Sequence, residues 1–321
     1  MNLRVFLLNK SKHLAPSSQT AFFESFHDGK SYYWIDVEDP DPTSLKEFLE
    51  RLDLHSLVLE ECLEPAGTSR VDLYHQSLFI KFSVQPAWDT PEQPLFSIIC
   101  IPQAVITIHE RPSSTIENIA EEYSSGARFH SFSTVAIVYQ IFDRLIDENM
   151  AFVLETRRDI ESLEEAMDKA ADSAQVDRIL MLKQRISRLS IICEDQRYCV
   201  AALQTIESDL FDISDLREYF RDSLANLEYA IRSAGRQETH LSELRQHYQI
   251  TLQERTNKRL RLLTILSAVF MPLFLIAGIY GMNFRYMPEL TWPYSYPVVI
   301  FIMIAVAAVL LWIFYRKGWF N

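Results

Sequence analysis

The chemistry open to this chain is narrow. His240 and His247 stand seven residues apart with Glu243 between them, whereas a helical zinc pair prefers an i, i+4 spacing. Glu155, Asp159, Glu161, Glu164, Glu165, Asp168 and Asp172 put many carboxylates on one stretch, which reads as a solvated face or as a diffuse cation-binding one. Cys62, Cys100, Cys193 and Cys199 form no CxxC pair, so they suggest neither a zinc ribbon nor a redox motif. There is no phosphate-binding loop, nucleophile elbow or GxGxxG, so catalysis and nucleotide-driven work have no carrier and the chain reads as a non-enzyme. What remains is a seam of Asn257, Leu260, Leu263, Ser267, Met271, Phe274, Gly278 and Gly281. Its spacings of 3, 3, 4, 4, 3, 4 and 3 follow the period of a left-handed helical bundle. Around a symmetry axis it would stack an amide ring at Asn257 below apolar rings at Leu263 and Met271, and apolar constrictions gate by dewetting. Periodicity alone leaves a plain packing seam equally open.

Such residues need elements to hold them. The charge-free runs Leu262 to Ile279 and Ser295 to Tyr315 are about 18 and about 21 residues long, enough for two membrane spans, although a buried core hairpin passes the same test. Lys258, Arg259 and Arg261 precede the first run, and Arg316 and Lys317 follow the second. The connection between them carries only Arg285 and Glu289, so the positive-inside rule puts both chain ends in the cytoplasm. Tyr280, Trp292, Tyr294, Tyr296, Trp312, Tyr315 and Trp319 cluster near the two interfaces, where amphipathic rings settle. The net charge of −12 argues against a nucleic-acid partner, because phosphate backbones are bound through a basic surplus.

Proline divides the rest. Nine of the 13 prolines lie at or before Pro112 and the next is Pro272, with only Gly126 and Gly235 between. The early part has strand-like runs at Tyr32–Asp36, Leu78–Val84, Phe96–Ile101 and Ala104–His109, and short helices over Pro42–Leu52 and Ser56–Leu63. It reads as an α/β domain over 1–125. Residues 126–211 read as a helical hairpin, Val135–Ala171 and Gln175–Ser208, and 212–280 as a stalk helix running into the first span. The segments 281–295, 296–315 and 316–321 follow as connecting loop, second span and basic tail. A stalk of about 65 residues reaches on the order of 100 Å, too long for one chain to cover, so an oligomer is expected.

Tyr280-Gly-Met-Asn-Phe284 at the end of the first span, with Met287-Pro-Glu-Leu290 in the loop after it, resembles the signature of the CorA magnesium transporter family. Leu57-Val-Leu-Glu-Glu61 is similar to a cytoplasmic segment of that family, and Phe220-Arg-Asp222 to a segment of its stalk helix. The resemblance covers the whole layout. It implies a funnel-shaped homopentamer in the inner membrane, importing Mg²⁺ and Co²⁺ with no organic cofactor, partnered by lipid and by its own copies. Gly281, Met282 and Asn283 would be the selectivity filter, and the seam from Asn257 to Gly278 the pore lining.

Mg²⁺ dehydrates reluctantly, so a neutral amide ring at Asn283 would hold the hydrated ion through its waters without trapping it. Glu289 would add negative potential at the mouth, if it is not spent on Arg285. Asp222 of one subunit would face Glu61 of its neighbour across a regulatory Mg²⁺, closing the pore when cytoplasmic Mg²⁺ is high. The chain departs from the family's pattern at Glu61 (commonly Asp), at Phe274 (commonly Thr) and at Arg285 (often Glu). A zinc transporter of the same superfamily, similar to ZntB, and a membrane-anchored coiled-coil structural protein are the competing readings.

Overall fold

The computed structural model describes residues 1–26, 31–64, 67–85, 94–169, 174–208, 210–282 and 287–319. Seven strands form one mixed sheet: β1 (Asn2–Leu8), β2 (Leu14–Ser17), β3 (Tyr32–Glu38), β4 (Arg70–Leu73), β5 (Leu78–Ser83), β6 (Leu95–Ile101) and β7 (Ala104–His109), in the order β2-β1-β3-β7-β6-β5-β4. Neighbours run antiparallel except β3 and β7, which pair in parallel with Ile35 opposite Ile106. The β6–β7 hairpin turns at Pro102-Gln103, and its register sets Ile99 against Ile106. Both edge strands are four residues long. β2 carries Pro16, which has no N–H to offer, and β4 alternates Arg70 and Asp72 with apolar residues.

Helices cover both faces, which is why the central strands are buried throughout rather than alternating with solvent. The period-two pleat splits each strand between two cores. Leu78, Ile80, Phe82, Ile98 and Cys100 join one, and Phe79, Ile99, Ile101 and Ile106 the other. The second core is closed by α1 (Gln19–Ser25), α2 (Pro42–Glu50) and α3 (Ser56–Leu63). Asp41 caps α2, its carboxylate accepting from the Ser44 N–H at 3.0 Å. The first core takes α4 (Ser114–Ser125) and the long helices α5 (Thr134–Lys169) and α6 (Ala174–Thr205). The α/β region and the helical hairpin therefore share one hydrophobic core, joined by a buried polar seam. Asn149 donates to Gln196 at 2.7 Å, Gln196 to the Ser83 carbonyl at 3.2 Å, and the Ser83 hydroxyl to Asp195 at 2.5 Å. Full burial of each Ile or Phe here contributes roughly 1.5–3 kcal/mol.

After a 3₁₀ turn at Ser214–Leu216, α7 (Arg217–Tyr280) runs 64 residues without a break, with Pro272 inside it. A second 3₁₀ turn (Pro288–Thr291) leads to α8 (Ser295–Arg316). The chain divides into two compact units, one of Met1–Asp168 and Asp172–Glu243, the other built on Leu244–Asn321. Within the second, α7 and α8 each hold a stretch long and apolar enough to cross a membrane. None of α8 is buried, and Phe301 and Tyr315 are more than 70% exposed. So much uncovered apolar surface fits a protein whose solvent at this end is lipid.

Candidate functional site

In the second unit the seam is laid out along the C-terminal part of α7. Asn257, Leu260, Leu263, Ser267, Met271, Phe274 and Gly278 are all exposed in the single chain, as is Gly281 just beyond the helix. Met271 and Phe274 each reach 72% exposure. The residues of this stretch that are buried are Ile265 and Val269. At ~100° per residue they fall on the opposite side of the helix from the seam. One face of α7 is thus covered within the chain, and the face with the bundle period is left open.

Gly281 follows α7 and donates its N–H to the Ala277 carbonyl at 2.9 Å. A Cβ there would stand 3.1 Å from that same oxygen, tighter than side chains normally pack. At Gly278 an added Cβ would meet nothing within 4 Å. Met282 is exposed, and Asn283 and Arg285 lie outside the described residues. Glu289 is exposed in the second 3₁₀ turn and makes no ion pair among the described residues.

The two regulatory candidates lie in the first unit. Asp222 is exposed near the start of α7, taking a long hydrogen bond from Asn226 at 3.5 Å. The nearby Phe220 is fully buried and packs with Tyr139, while Tyr219 lies tilted against Tyr139 and His130. Tyr139 donates to Asp143 at 2.9 Å. Burial first, then the charges of Asp143 and Asp222, push the Tyr139 hydroxyl well above its ordinary pKa. Asp143 on α5 and Asp222 on α7 both act on that ring, from helices that the sequence separates by α6.

Glu61 stands at the end of α3, and its carboxylate is engaged within the chain. Arg70 on β4 donates to it, and the Lys81 ammonium lies 3.9 Å away while donating to the Glu61 carbonyl at 3.1 Å. Lys81 is 3% exposed, so this is a shielded pairing. Glu61 and Lys81 line a cavity of ≈ 130 Å³ together with Cys62, His109 and Glu110. Burial pushes the Cys62 thiol up to about 12, so the free thiol is protonated at neutral pH. Glu60, one residue earlier, is exposed and has no ion pair among the described residues. Periodicity did not single it out, because α3 is only two turns long.

The other titratable clusters are structural. Glu164 and His240 approach at 3.5 Å on exposed faces, and His247 is not part of that contact. Asp172 lies outside the described residues. Among the described residues no group of three or more His, Cys, Asp or Glu is arranged to hold a metal within one chain.

A family model described as "CorA-like Mg2+ transporter protein" matches residues 29–316. The cobalt/magnesium transport protein CorA of Thermotoga maritima is 28% identical over 309 residues, covering 92% of this chain and 85% of that one. The solved structure of the CorA magnesium transporter from Methanocaldococcus jannaschii superposes with a TM-score of 0.85 at 20% identity, over 99% of both chains. The cytoplasmic domain of ZntB from Vibrio parahaemolyticus matches less closely, with a TM-score of 0.65 at 12% identity over 79% of this chain.

Proposed function

The chain belongs to the CorA family of Mg²⁺ transporters, and on that premise we propose that it is a channel importing Mg²⁺, and Co²⁺ with it, across the inner membrane. The observation that carries this reading is the open face of α7. The eight seam residues share it, and the buried Ile265 and Val269 lie opposite. Five copies around an axis would turn that face into a lined path, with Asn257 nearest the cytoplasm and Gly281 at the outer end. The two apolar helices and the basic residues flanking them support an arrangement with both chain ends cytoplasmic.

At the outer end, Asn283 side chains and Gly281 carbonyls would accept hydrogen bonds from the ion's water shell. Mg²⁺ holds that shell tightly, so an outer-sphere site costs little and releases readily. Gly281 is suited to the position because a side chain would crowd Ala277. Exposed Glu289 would raise local cation concentration. Entry is driven by the membrane potential, worth about 2.3 kcal/mol per charge per 100 mV. Leu263 and Met271 would form apolar constrictions that close by dewetting.

Feedback would come through Asp222, exposed near the start of α7. For Glu61 of a neighbour to share its Mg²⁺, that carboxylate must leave Arg70 and Lys81, so Glu60 is the more available acid on the same helix. Bound Mg²⁺ would screen these carboxylates and hold the ring closed, and its loss would let them repel.

The test is Mg²⁺ flux into vesicles carrying the purified protein, beside an Asn283→Ala variant. Uptake that needs Asn283 and falls as internal Mg²⁺ rises is expected. Uptake unaffected by the substitution removes the filter assignment. Zn²⁺ uptake stimulated by a proton gradient, with no Mg²⁺ uptake, favours the ZntB-like reading instead.

A further inference from the structure

The chain is acidic overall at −12, yet the segment around its apolar helices is not. Arg255, Lys258, Arg259 and Arg261 crowd the last turns before the first apolar stretch, and Arg316 and Lys317 close the second. The only acidic residue between Arg255 and Lys317 is Glu289, in the connection at the other end of both helices. The two stretches run in opposite directions through that connection. The basic clusters therefore flank the same side of the apolar layer.

Their placement on the helix separates them from the ion path. At ~100° per residue, Arg255, Lys258 and Arg261 fall in the half of α7 opposite the seam, on the side of Ile265 and Val269, and Arg259 falls at the border between the two halves. All four are exposed, as are Arg316 and Lys317. Lys258, Arg259, Arg316 and Lys317 have no carboxylate partner among the described residues. The Arg316 guanidinium sits 5.1 Å from the Trp312 ring, and Trp312 is 56% exposed. A cation lying along an uncovered indole is how such side chains keep an apolar body in hydrocarbon and a charge at its rim.

We propose that Lys258, Arg259, Arg316 and Lys317 form a surface for anionic phospholipid headgroups on the cytoplasmic side. Lys258 points away from the seam, and the Arg316 guanidinium lies along the exposed Trp312 ring, so their charge is available to lipid. Its position directly beside the bare apolar faces of α7 and α8 is where a phosphate tethered to acyl chains is delivered and a free phosphate is not. This inference rests on the membrane reading above, but not on which ion is carried.

The experiment uses the full-length protein with Trp88→Phe and Trp292→Phe, in vesicles where either phosphatidylglycerol or phosphatidylcholine carries brominated chains at equal mole fraction. Brominated chains quench tryptophan within contact, and fully buried Trp34 supplies a lipid-independent background. Quenching of Trp312 and Trp319 is expected to report an enrichment of phosphatidylglycerol of about fivefold over its bulk share, weakening as salt is raised. The combined K258Q, R259Q, R316Q and K317Q variant is expected to return to the bulk ratio. A variant exchanging Lys and Arg at the same four positions is expected to keep the enrichment, which separates lost charge from lost fold. Equal quenching by the two lipids in the Trp88→Phe, Trp292→Phe protein overturns the proposal and leaves the membrane reading intact. Quenching by neither lipid overturns both. Loss of the enrichment on adding inorganic phosphate at constant ionic strength overturns the lipid assignment in favour of a free-anion site.

Discussion

Asp36 has no exposed surface, yet it keeps its charge. Burial alone would raise its pKa. The His109 ring at 3.0 Å, the Thr107 hydroxyl at 2.6 Å and the Arg4 guanidinium at 2.8 Å outweigh that and hold it below the ordinary carboxylate value. Burial likewise works against the His109 charge. Its ring nitrogens face Asp36 and the Arg111 carbonyl, both acceptors, and the net effect is a raised pKa. The lowered Asp36 value makes its contribution present above about pH 4 and lost as pH falls through the folded value. The raised His109 value makes its contribution full below about pH 6.5 and lost as pH climbs through the folded value. Denaturant unfolding across pH should therefore show a plateau between those limits. His109→Gln should flatten the alkaline limb, and a wild-type profile level through neutral pH would remove the argument. Asp36→Asn removes the buried anion that His109 and Arg4 share, leaving Arg4 only the longer Glu38 contact at 3.8 Å, and should cost roughly 3–5 kcal/mol. For the regulatory carboxylates, Asp222→Ala should relieve inhibition of uptake by internal Mg²⁺. Glu60→Ala is expected to relieve it more than Glu61→Ala, since Glu61 is held by Arg70 and Lys81. If Glu61→Ala has the larger effect, the carboxylate leaves its in-chain partners during gating.

The two glycines at the end of α7 are distinguishable at the scale of the element. Gly281→Ala pushes a methyl against the Ala277 carbonyl, whereas Gly278→Ala meets nothing within its own chain. Uptake by Gly281→Ala should fall with little change in assembly. A loss of uptake in Gly278→Ala would report a close neighbour from another copy, because no contact within one chain accounts for it. Most of the elements were legible in the sequence: the strand runs at 32–36, 78–84, 96–101 and 104–109 and the helix at 56–63 lie within a residue of the observed β3, β5, β6, β7 and α3 at most of their ends. Period-two and period-3.6 patterns are strong when one face is buried. β2 and β4 escaped notice because they are short edge strands, and Pro16 reads as a breaker. The break at Pro272 did not end α7, since a helix in an apolar setting keeps its hydrogen bonds around one missing donor. Of the candidate site, the exposed face that the seam residues share on α7 was legible because they repeat along one helix. The Asp143–Tyr139–Asp222 grouping was not, because it depends on how α5 and α7 pack.

At the scale of the molecule, the ring proposed above would cover the exposed face of α7. Leu263→Cys in the full chain should form disulfide-linked dimers in membranes under mild oxidation, because a ring brings equivalent seam positions together. A protein that stays monomeric on oxidation and on gel filtration in detergent would not sustain a ring. How the copies meet is narrowed by the sheet. A strand edge left bare is a template on which identical chains add indefinitely. Both edges here are blunted, β2 by its length and Pro16 and β4 by its length and the Arg70–Asp72 pairing at 2.9 Å. Chains confined to a bilayer are crowded in two dimensions, which favours any contact that can propagate without limit. With its edges capped, this chain leaves association to its helix faces, and the proposed ring would be protected from fibrous growth.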